Sequence, residues 1–190
     1  MTRKRVAIVG MGFGGVRAAR ALAGSNLDVL LIDRNNYHLF QPLLYQVASA
    51  GLEQESIAYS IRAMTRNWPN TRFQLSEVTG VDFNRRLIQT NAGEVGYDYL
   101  VLGAGSATNF FGLTTVQQHA FDLKALADAE VLRNQILYCF EQAVIEPDPA
   151  RKRSLMTFVI VGGGPTGVEF AGALIELVTY VLAKDYPELG

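Results

Sequence analysis

Two glycine-rich segments of the same design, about 150 residues apart, constrain what this chain can fold into. The first is VAIVGMGFGG at residues 6–15, and the second is FVIVGGGPTG at residues 158–167. In each, an apolar run leads into G-x-G-x-x-G, the pattern of a strand, tight turn and helix that holds the pyrophosphate of a dinucleotide. One such motif is weak evidence, whereas two at this separation predict two dinucleotides in one protein.

The first segment has the complete pattern. We expect Gly10 to allow the tight turn, Gly12 to let the backbone approach a pyrophosphate, and Gly15 to let helix and strand pack closely. The free amides at the helix start would then bind the phosphates. Asp33 lies eighteen positions after Gly15, at the end of the next predicted strand, where its carboxylate can accept hydrogen bonds from ribose hydroxyls. The alternative is a glycine-rich turn without a ligand.

The second segment repeats the glycines at Gly162, Gly164 and Gly167 but lacks the acidic partner. A carboxylate is expected about twenty positions further on, at the end of the following strand. Glu188 lies near that distance, but it follows Pro187 at a predicted helix end, so it is left unassigned. The second dinucleotide site is therefore predicted to be incomplete in this chain.

The hydrophobic pattern predicts an α/β fold: a Rossmann-like domain with an antiparallel β-meander insert, followed by the start of a second Rossmann-like domain. Buried parallel strands are predicted at 4–9, 27–32 and 97–102, with a helix at 14–23. Three short strands separated by turn residues predict the meander at 72–78, 81–82 and 87–90.

Further elements are predicted from helical spacing and from the second motif. Helices are expected at 43–50, 56–65 and 122–145, the last with Asp122 as its N-cap. The second Rossmann-like unit is expected to begin with a strand at 155–161 and a helix from Gly164 to about 183. We therefore predict a first dinucleotide-binding domain over residues 1–120, and a linking helix with the start of a second dinucleotide-binding domain over 121–190.

Composition excludes several classes of function. With 17 basic and 18 acidic residues among 190, the chain carries almost no net charge and offers no argument for nucleic acid. Cys139 is the only cysteine, which excludes a disulfide framework, a cysteine-based metal site and a redox-active cysteine pair within these 190 residues. His38 and His119 lie far apart in sequence, so no metal site is expected. We see no run approaching the roughly 18 apolar residues of a membrane span.

Three segments carry a resemblance to type II NADH dehydrogenases, the single-subunit flavin-dependent NADH:quinone oxidoreductases, and the match extends over essentially all 190 residues. Residues 33–48 (DRNNYHLFQPLLYQVA) resemble the segment that runs from the ribose of FAD toward its isoalloxazine ring. Residues 166–172 (TGVEFAG) resemble the NADH-side fingerprint, and 97–105 (YDYLVLGAG) the strand and turn that close over FAD. Ala104 stands where many members of the wider superfamily have threonine, so a hydroxyl contact is lost there.

The resemblance implies FAD as cofactor, NADH as substrate and a quinone as electron acceptor, in a non-proton-pumping respiratory-chain enzyme. It implies that Glu169 is the acid near nicotinamide and quinone, although the helix dipole alone would favour a carboxylate there. The NADH contacts implied are Gly162, Gly164, Pro165, Thr166 and Gly167. The FAD contacts implied are Gly10, Gly12, Phe13, Gly14, Gly15, Asp33, Arg34, Asn35, Gln41, Pro42, Val78, Ala104 and Gly105.

The same resemblance implies a peripheral protein on the cytoplasmic face of a membrane, attached through parts outside these 190 residues, and it is compatible with a homodimer. We expect the 190 residues alone to hold FAD weakly and not to turn over NADH.

Two other readings remain open from the sequence. One is a flavoprotein on the same scaffold with a binding or regulatory role and no quinone reduction. The other is a Rossmann domain that binds NAD alone, which a flavin absorbance spectrum would exclude. The absence of a cysteine pair after the first βαβ unit favours direct transfer from flavin to quinone over the chemistry of disulfide reductases.

Overall fold

The computed structural model describes residues 3–189, which form two compact units. The first unit contains the chain up to Leu39 together with Ala58–Ser106, and the second contains Phe40–Ile57 together with the chain from Ala107. The chain therefore leaves the first unit after Leu39 and returns to it at Ala58, because residues 40–57 pack with the later helices. The division of binding roles at residue 120 stays a prediction.

The strands all belong to the first unit and are short. They are β1 (Arg5–Val9), β2 (Asp28–Asp33), β3 (Tyr37–Leu39), β4 (Ala58–Ser60), β5 (Thr71–Leu75), β6 (Val78–Asp82), β7 (Leu87–Thr90), β8 (Gly93–Gly96) and β9 (Tyr99–Leu102). The α-helices are α1 (Phe13–Leu22), α2 (Leu44–Ala48), α3 (Ile61–Thr65), α4 (Thr114–His119), α5 (Leu126–Ile145), α6 (Pro149–Leu155), α7 (Pro165–Leu177) and α8 (Ala183–Asp185). Short 3-10 helices cover Gln41–Leu43, Gln54–Ser56 and Pro187–Leu189, and a π-helix covers Val178–Leu182.

A parallel sheet in the order β5-β2-β1-β9 forms the centre of the first unit and confirms the predicted Rossmann-like topology. The helix α1 connects the adjacent strands β1 and β2. Strand β1 is bordered on both sides, with Ile8 opposite Leu31 in β2 and opposite Val101 in β9. All the carboxyl ends of these strands therefore lie along one edge, which is where ligands bind in open α/β sheets.

Alternate residues of the central strands face two separate hydrophobic layers. Ile8 and Leu31 pack on the side that includes Ala19 of α1 and Ile61 of α3. Their neighbours in sequence pack on the opposite side against Ile88 of the meander, in a cluster of Ala7, Val9, Leu30, Ile32 and Ile88. Both faces of the sheet are thus covered, and this explains why the strands have continuous apolar runs rather than an alternating pattern.

The antiparallel meander is present, but its strands differ from those predicted. It consists of β6, β7 and β8, in that order. The strand predicted at 72–78 is wrong as a meander strand, because residues 71–75 pair in parallel with β2 and complete the central sheet. The third meander strand, Gly93–Gly96, was not predicted, because two of its four residues are glycines, which are unfavourable in a strand.

Two of the helix predictions need correction. The helix expected at 56–65 is confined to Ile61–Thr65, because residues 58–60 instead pair as β4 with β3. The long helix begins at Leu126, and Asp122 is not its N-cap. Asp122 accepts a hydrogen bond from Thr108 Oγ1 at 2.7 Å, whereas Asp128 Oδ2 accepts the Ala125 amide at 2.6 Å and so satisfies the helix start.

The second unit is helical in the described residues. Helix α2 packs against α5 and α7, and it buries Leu44, Val47 and Ala48. Helix α5 buries Ile136 and Phe140 on one side. A hydrogen bond from Gln54 Nε2 to Glu130 Oε1 further attaches the 40–57 segment to α5.

The strand predicted at 155–161 is wrong in this structure. Leu155 ends helix α6, and residues 157–163 have no regular secondary structure. A β-strand requires a neighbouring strand to accept and donate its backbone hydrogen bonds, and no described residue pairs with this segment. The side chains of Val159 and Val161 are correspondingly exposed.

The helical stretch that follows the second glycine-rich loop is long and apolar. Among the described residues, the stretch Pro165–Asp185 has the length and composition of a membrane-crossing helix. The prediction that no run approaches the length and apolar composition of a membrane span is therefore wrong. A core helix of a soluble protein meets the same two criteria, so the observation by itself assigns no membrane span.

Ion pairs join the amino ends of the parallel strands. Asp28 in β2 accepts hydrogen bonds from Arg5 Nε in β1 at 2.8 Å and from Arg72 in β5 at 2.9 Å. Partial burial raises the pKa of Asp28, but the hydrogen bonds from the two guanidinium groups outweigh it, so this pKa lies below its usual value of 3.8. The carboxylate therefore stabilises the folded state when it is ionised.

We predict that Asp28→Asn lowers the free energy of unfolding by about 1 kcal/mol at pH 7. Because the folded pKa of Asp28 is depressed, this contribution is complete above the usual pKa of 3.8 and is lost as the pH falls through the folded pKa. Urea unfolding at pH 7 and at about pH 3.5 measures it. The control is Glu94→Gln, which removes a more exposed pair with Arg85 at 3.7 Å. Equal stability of Asp28→Asn and the unmodified chain at pH 7 would contradict the prediction.

Candidate functional site

The first glycine-rich loop lies at the carboxyl end of β1, along the edge where open α/β sheets bind ligands. Gly10 has a φ of +90°, and its amide donates to Ile32 O in β2 at 2.8 Å. A side chain at Gly10 would also collide with the loop after β9, because a Cβ there would lie 2.2 Å from Gly103 O. Glycine is therefore required at this position for both its backbone conformation and the space available.

The close helix–strand packing predicted for Gly15 is present. Gly15 is buried in the first turn of α1, and a Cβ there would lie 1.8 Å from Gly10 O and 3.6 Å from Ile8 Cγ2. No side chain other than hydrogen fits this gap. The start of α1 is consequently held directly against the end of β1.

The other two glycines of the loop leave open space. A Cβ at Gly12 or Gly14 would meet no protein atom within 4 Å. Gly12 is the N-cap of α1, no side chain caps the helix, and its first turn contains no acidic residue. The backbone amides of this turn and the positive end of the helix dipole are thus available to an anion.

The turn after β9 lies beside the same loop. The Gly103 amide donates to Val9 O at 2.7 Å, which extends the pairing of β9 with β1. A Cβ at Gly10 would be 3.1 Å from Ala104 Cα, so Ala104 borders the loop directly. Gly105 follows with a φ of +77°. The structure therefore brings the predicted contacts at 104 and 105 next to the first glycine-rich motif.

Asp33 connects the glycine loop to the end of β2. Its Oδ2 accepts the Met11 amide at 2.5 Å, and its Oδ1 accepts the Asn35 amide at 2.8 Å. The carboxylate is part-buried and lies where the sequence predicts a contact with ribose. Each carboxylate oxygen can accept a second hydrogen bond, so the loop contacts leave capacity for a hydroxyl donor.

Sequence analysis did not identify Met11 and His38 as a pair. Met11 is buried between the first two glycines, and its carbonyl lies 2.8 Å from His38 Nδ1. The His38 ring also makes an edge contact with Phe13, with centroids 5.3 Å apart and an interplanar angle of 86°. The signal available in the sequence was the single histidine within residues 33–48, which by itself does not specify its partner.

The remaining predicted contacts of the first unit lie around this edge. Phe13 is half-exposed at the first position of α1, and Arg34 is exposed directly after Asp33. The Ser76 amide donates to the Asp33 carbonyl oxygen at 2.9 Å, which places the β5–β6 connection beside Asp33. Val78 begins β6, and its side chain packs against the hydrophobic layer on the meander side.

The second glycine-rich loop, in the second unit, repeats the local geometry of the first. Gly162 has a φ of +108°, and a Cβ at Gly167 would lie 2.3 Å from Gly162 O. Gly164 is the N-cap of α7 and accepts the Val168 amide at 3.1 Å, just as Gly12 accepts the Val16 amide at 3.0 Å. A Cβ at Gly164 would meet no protein atom within 4 Å, and α7 also has no side-chain cap.

Other predicted site residues also lie in the second unit. Pro165 is the first residue of α7, followed by Thr166, and Glu169 is exposed one turn further along the helix. Gln41 and Pro42 form the short 3-10 helix that precedes α2.

Comparison with known proteins agrees with this geometry. Residues 4–188 match the pyridine nucleotide-disulphide oxidoreductase family. The type II NADH:quinone oxidoreductase NdhA of Mycobacterium tuberculosis is 40% identical over 188 residues, which cover 97% of this chain and 40% of that protein. The external alternative NADH-ubiquinone oxidoreductase, mitochondrial, of Yarrowia lipolytica is 32% identical over 200 residues, covering 99% of this chain and 34% of that protein.

Among solved structures, NDH2 from Plasmodium falciparum in complex with NADH superposes with a TM-score of 0.91 at 27% sequence identity. The match covers 99% of this chain and 40% of that one. The chain thus spans about two fifths or less of the length of these relatives.

We predict that Gly15→Ala lowers the free energy of unfolding by more than about 2 kcal/mol, because the added methyl group collides with the Gly10 carbonyl. Gly14→Ala is the matched control on the adjacent residue, where space is open and alanine favours the helix by up to about 1 kcal/mol. Urea unfolding of both variants measures the difference. If the two variants are equally stable, the close contact does not hold the loop.

Proposed function

Because this chain belongs to the pyridine nucleotide-disulphide oxidoreductase family, we propose that its first glycine-rich loop holds FAD and its second holds NADH, in an NADH:quinone oxidoreductase. The observation that carries the proposal is the matched geometry of the two loops. Each has a positive-φ glycine, a glycine N-cap in open space and a third glycine packed against the first. In this proposal, residues 1–120 contain the FAD-binding domain, and 121–190 contain the linking helix and the start of the NADH-binding domain.

The residues of the first unit fit an adenine dinucleotide. The open space at Gly12 and Gly14 leaves room for a pyrophosphate against the backbone, and the uncapped amides of α1 supply hydrogen-bond donors to it. Phe13, Arg34 and Asn35 belong to the same proposed site, together with Val78, Ala104 and Gly105. Gln41 and Pro42 are proposed to contact the flavin end of the same molecule.

Asp33 is proposed to recognise the adenosine ribose. Its position after β2 and its remaining acceptor capacity suit two vicinal hydroxyl groups, whereas a 2′-phosphate would be repelled by the carboxylate. The hydrogen bond from the Met11 amide holds the carboxylate against the loop. The acid therefore orients the loop as well as contacting the ligand.

The second loop is proposed to hold the pyrophosphate of NADH on the uncapped start of α7. Gly162, Gly164 and Gly167 form the turn, and Pro165 and Thr166 occupy the first turn of the helix. Proline suits this place because the first amides of a helix have no partner within the helix. When bound, FAD supplies the electron-transfer chemistry, accepting a hydride from NADH and passing two electrons to a quinone.

Glu169 is proposed as the acid that acts near the nicotinamide and the quinone. It is exposed on α7, and reduction of a quinone consumes protons as well as electrons. A carboxylate one turn into the helix can hold a proton or accept a hydrogen bond from a reacting group.

We further propose that the protein associates peripherally with a membrane, on its cytoplasmic face, and forms a homodimer. The support for the membrane is the chemistry of the acceptor named for the relatives, since respiratory quinones are lipid-soluble. A protein that reduces them must reach the bilayer.

The decisive experiment is an absorbance spectrum of a purified protein that contains these residues, with NADH oxidation measured with and without a soluble quinone analogue. A flavin spectrum and quinone-dependent NADH oxidation are expected. No flavin even after reconstitution with FAD would refute the proposal. Flavin without quinone-dependent turnover would favour a binding or regulatory flavoprotein instead.

We predict that Gly12→Val and Gly164→Val each weaken the binding of a different ligand. Both glycines are N-caps in extended conformations that valine can adopt, and both face open space. Gly12→Val should weaken FAD binding by about tenfold or more, whereas Gly164→Val should keep FAD and raise the KM for NADH by a similar factor. The flavin-to-protein absorbance ratio and steady-state kinetics measure these effects. Loss of FAD in both variants, or in neither, would contradict the assignment of loops to ligands.

We predict that Glu169→Gln keeps FAD and lowers the turnover of NADH with quinone by about tenfold to a hundredfold, because glutamine cannot hold or transfer a proton. The matched control is Glu176→Gln, a second exposed acid on α7. Steady-state kinetics with a quinone analogue compare the two variants. Equal turnover in both would leave Glu169 without a role in the reaction.

A further inference from the structure

We propose that His38, in the tautomer that carries its proton on Nδ1, is a positioning residue that sets the direction of the Gly12 amide in the first glycine-rich loop. This inference rests on the proposed FAD site in that loop. It assigns a role to a buried histidine that the electron-transfer chemistry does not use.

The hydrogen bond itself identifies the tautomer. His38 Nδ1 lies 2.8 Å from the carbonyl oxygen of Met11, and a carbonyl oxygen can only accept a hydrogen bond. Nδ1 must therefore carry the proton. The neutral ring then has its lone pair on Nε2.

The His38 ring is held firmly enough to orient what it contacts. The side chain is buried, with 8% of its surface exposed, and the residue pairs with Tyr59 across strands β3 and β4. The edge contact with Phe13 supports the ring from the start of α1. A buried hydrogen bond from a side chain fixed in this way constrains its acceptor more than an exposed one would.

Two side chains then hold two successive peptide planes of the loop. Asp33 accepts the Met11 amide, which belongs to the peptide plane between Gly10 and Met11. His38 donates to the Met11 carbonyl, which belongs to the plane between Met11 and Gly12. The neighbouring glycines give both planes unusual rotational freedom, so side-chain contacts are needed to select one orientation.

The orientation of the second plane bears directly on anion binding. In a trans peptide the carbonyl and the following N–H point in opposite directions. Because the Met11 carbonyl points at His38, the Gly12 N–H points away from it. A flip of this plane would replace the N–H with a carbonyl oxygen, which repels a phosphate. His38 therefore keeps the Gly12 N–H, rather than the Met11 carbonyl oxygen, on the side of this peptide plane that faces away from the His38 ring.

The test uses three substitutions that separate the donor from the shape of the ring. Asparagine can place an N–H donor at the δ position, glutamine places it one atom further out, and phenylalanine keeps an aromatic ring without a donor. We expect His38→Gln and His38→Phe to weaken FAD binding by about tenfold, and His38→Asn to remain within about threefold of the unmodified chain. Flavin fluorescence titration of the chain with FAD measures the dissociation constants. The control is His119→Asn, on the exposed helix α4.

A second readout does not depend on FAD. Long-range proton–nitrogen NMR spectra of the ligand-free chain report which ring nitrogen of His38 is protonated, and His119→Asn assigns the signals because the chain has only two histidines. We expect the Nδ1–H pattern. The Nε2–H pattern would overturn the inference, even if the substitutions at position 38 also disturb folding.

The remaining outcomes separate this inference from the function on which it rests. If the unmodified chain binds FAD and His38→Phe and His38→Gln bind it equally well, the inference fails and the proposed FAD site stands. If His38→Asn loses as much affinity as His38→Phe, the δ-position donor is not what matters and the inference fails. If the unmodified chain binds no FAD after reconstitution, the proposed FAD site fails and this inference fails with it.

Discussion

The contact between Gly15 and the carbonyl of Gly10 is the constraint on which the rest of the first site depends. A Cβ at Gly15 would lie 1.8 Å from that oxygen, so only glycine allows α1 to begin directly against the end of β1. This proximity places the uncapped helix start at the carboxyl edge of the sheet, which is where open α/β sheets bind ligands. Without it, the amides and the helix dipole would be displaced from the edge where Asp33 and Ala104 lie.

The first glycine-rich loop is held in place by polar side chains that lie outside it in the sequence. Asp33 and His38 follow the second strand, yet they contact the amide and the carbonyl of Met11 in the first loop. Burial strengthens both hydrogen bonds, because water does not compete for the same groups. The proposed binding of FAD and the proposed role of His38 therefore share one structural basis, a glycine loop that is flexible by composition and ordered by its neighbours.

The second loop shows that its conformation is set locally. Gly162 and Gly167 reproduce the positive φ and the close contact of the first loop, although the residues before them do not pair as a strand. In this structure the turn therefore occurs without a paired strand before it. In contrast, the strand expected at 155–161 depends on backbone partners, and none is present among the described residues.

The amino-acid sequence by itself determined the elements whose cause is local: the two glycine turns, the helices after them, and the apolar strands β1 and β2 with Asp33 at the end. Only the tertiary structure decided which segments pair. Residues 71–75 join the parallel sheet instead of the meander, 40–57 pack with the later helices, and His38 reaches Met11. The physical reason is that hydrogen-bond partners and packing faces are supplied by residues far away in the chain, and a local pattern does not name them.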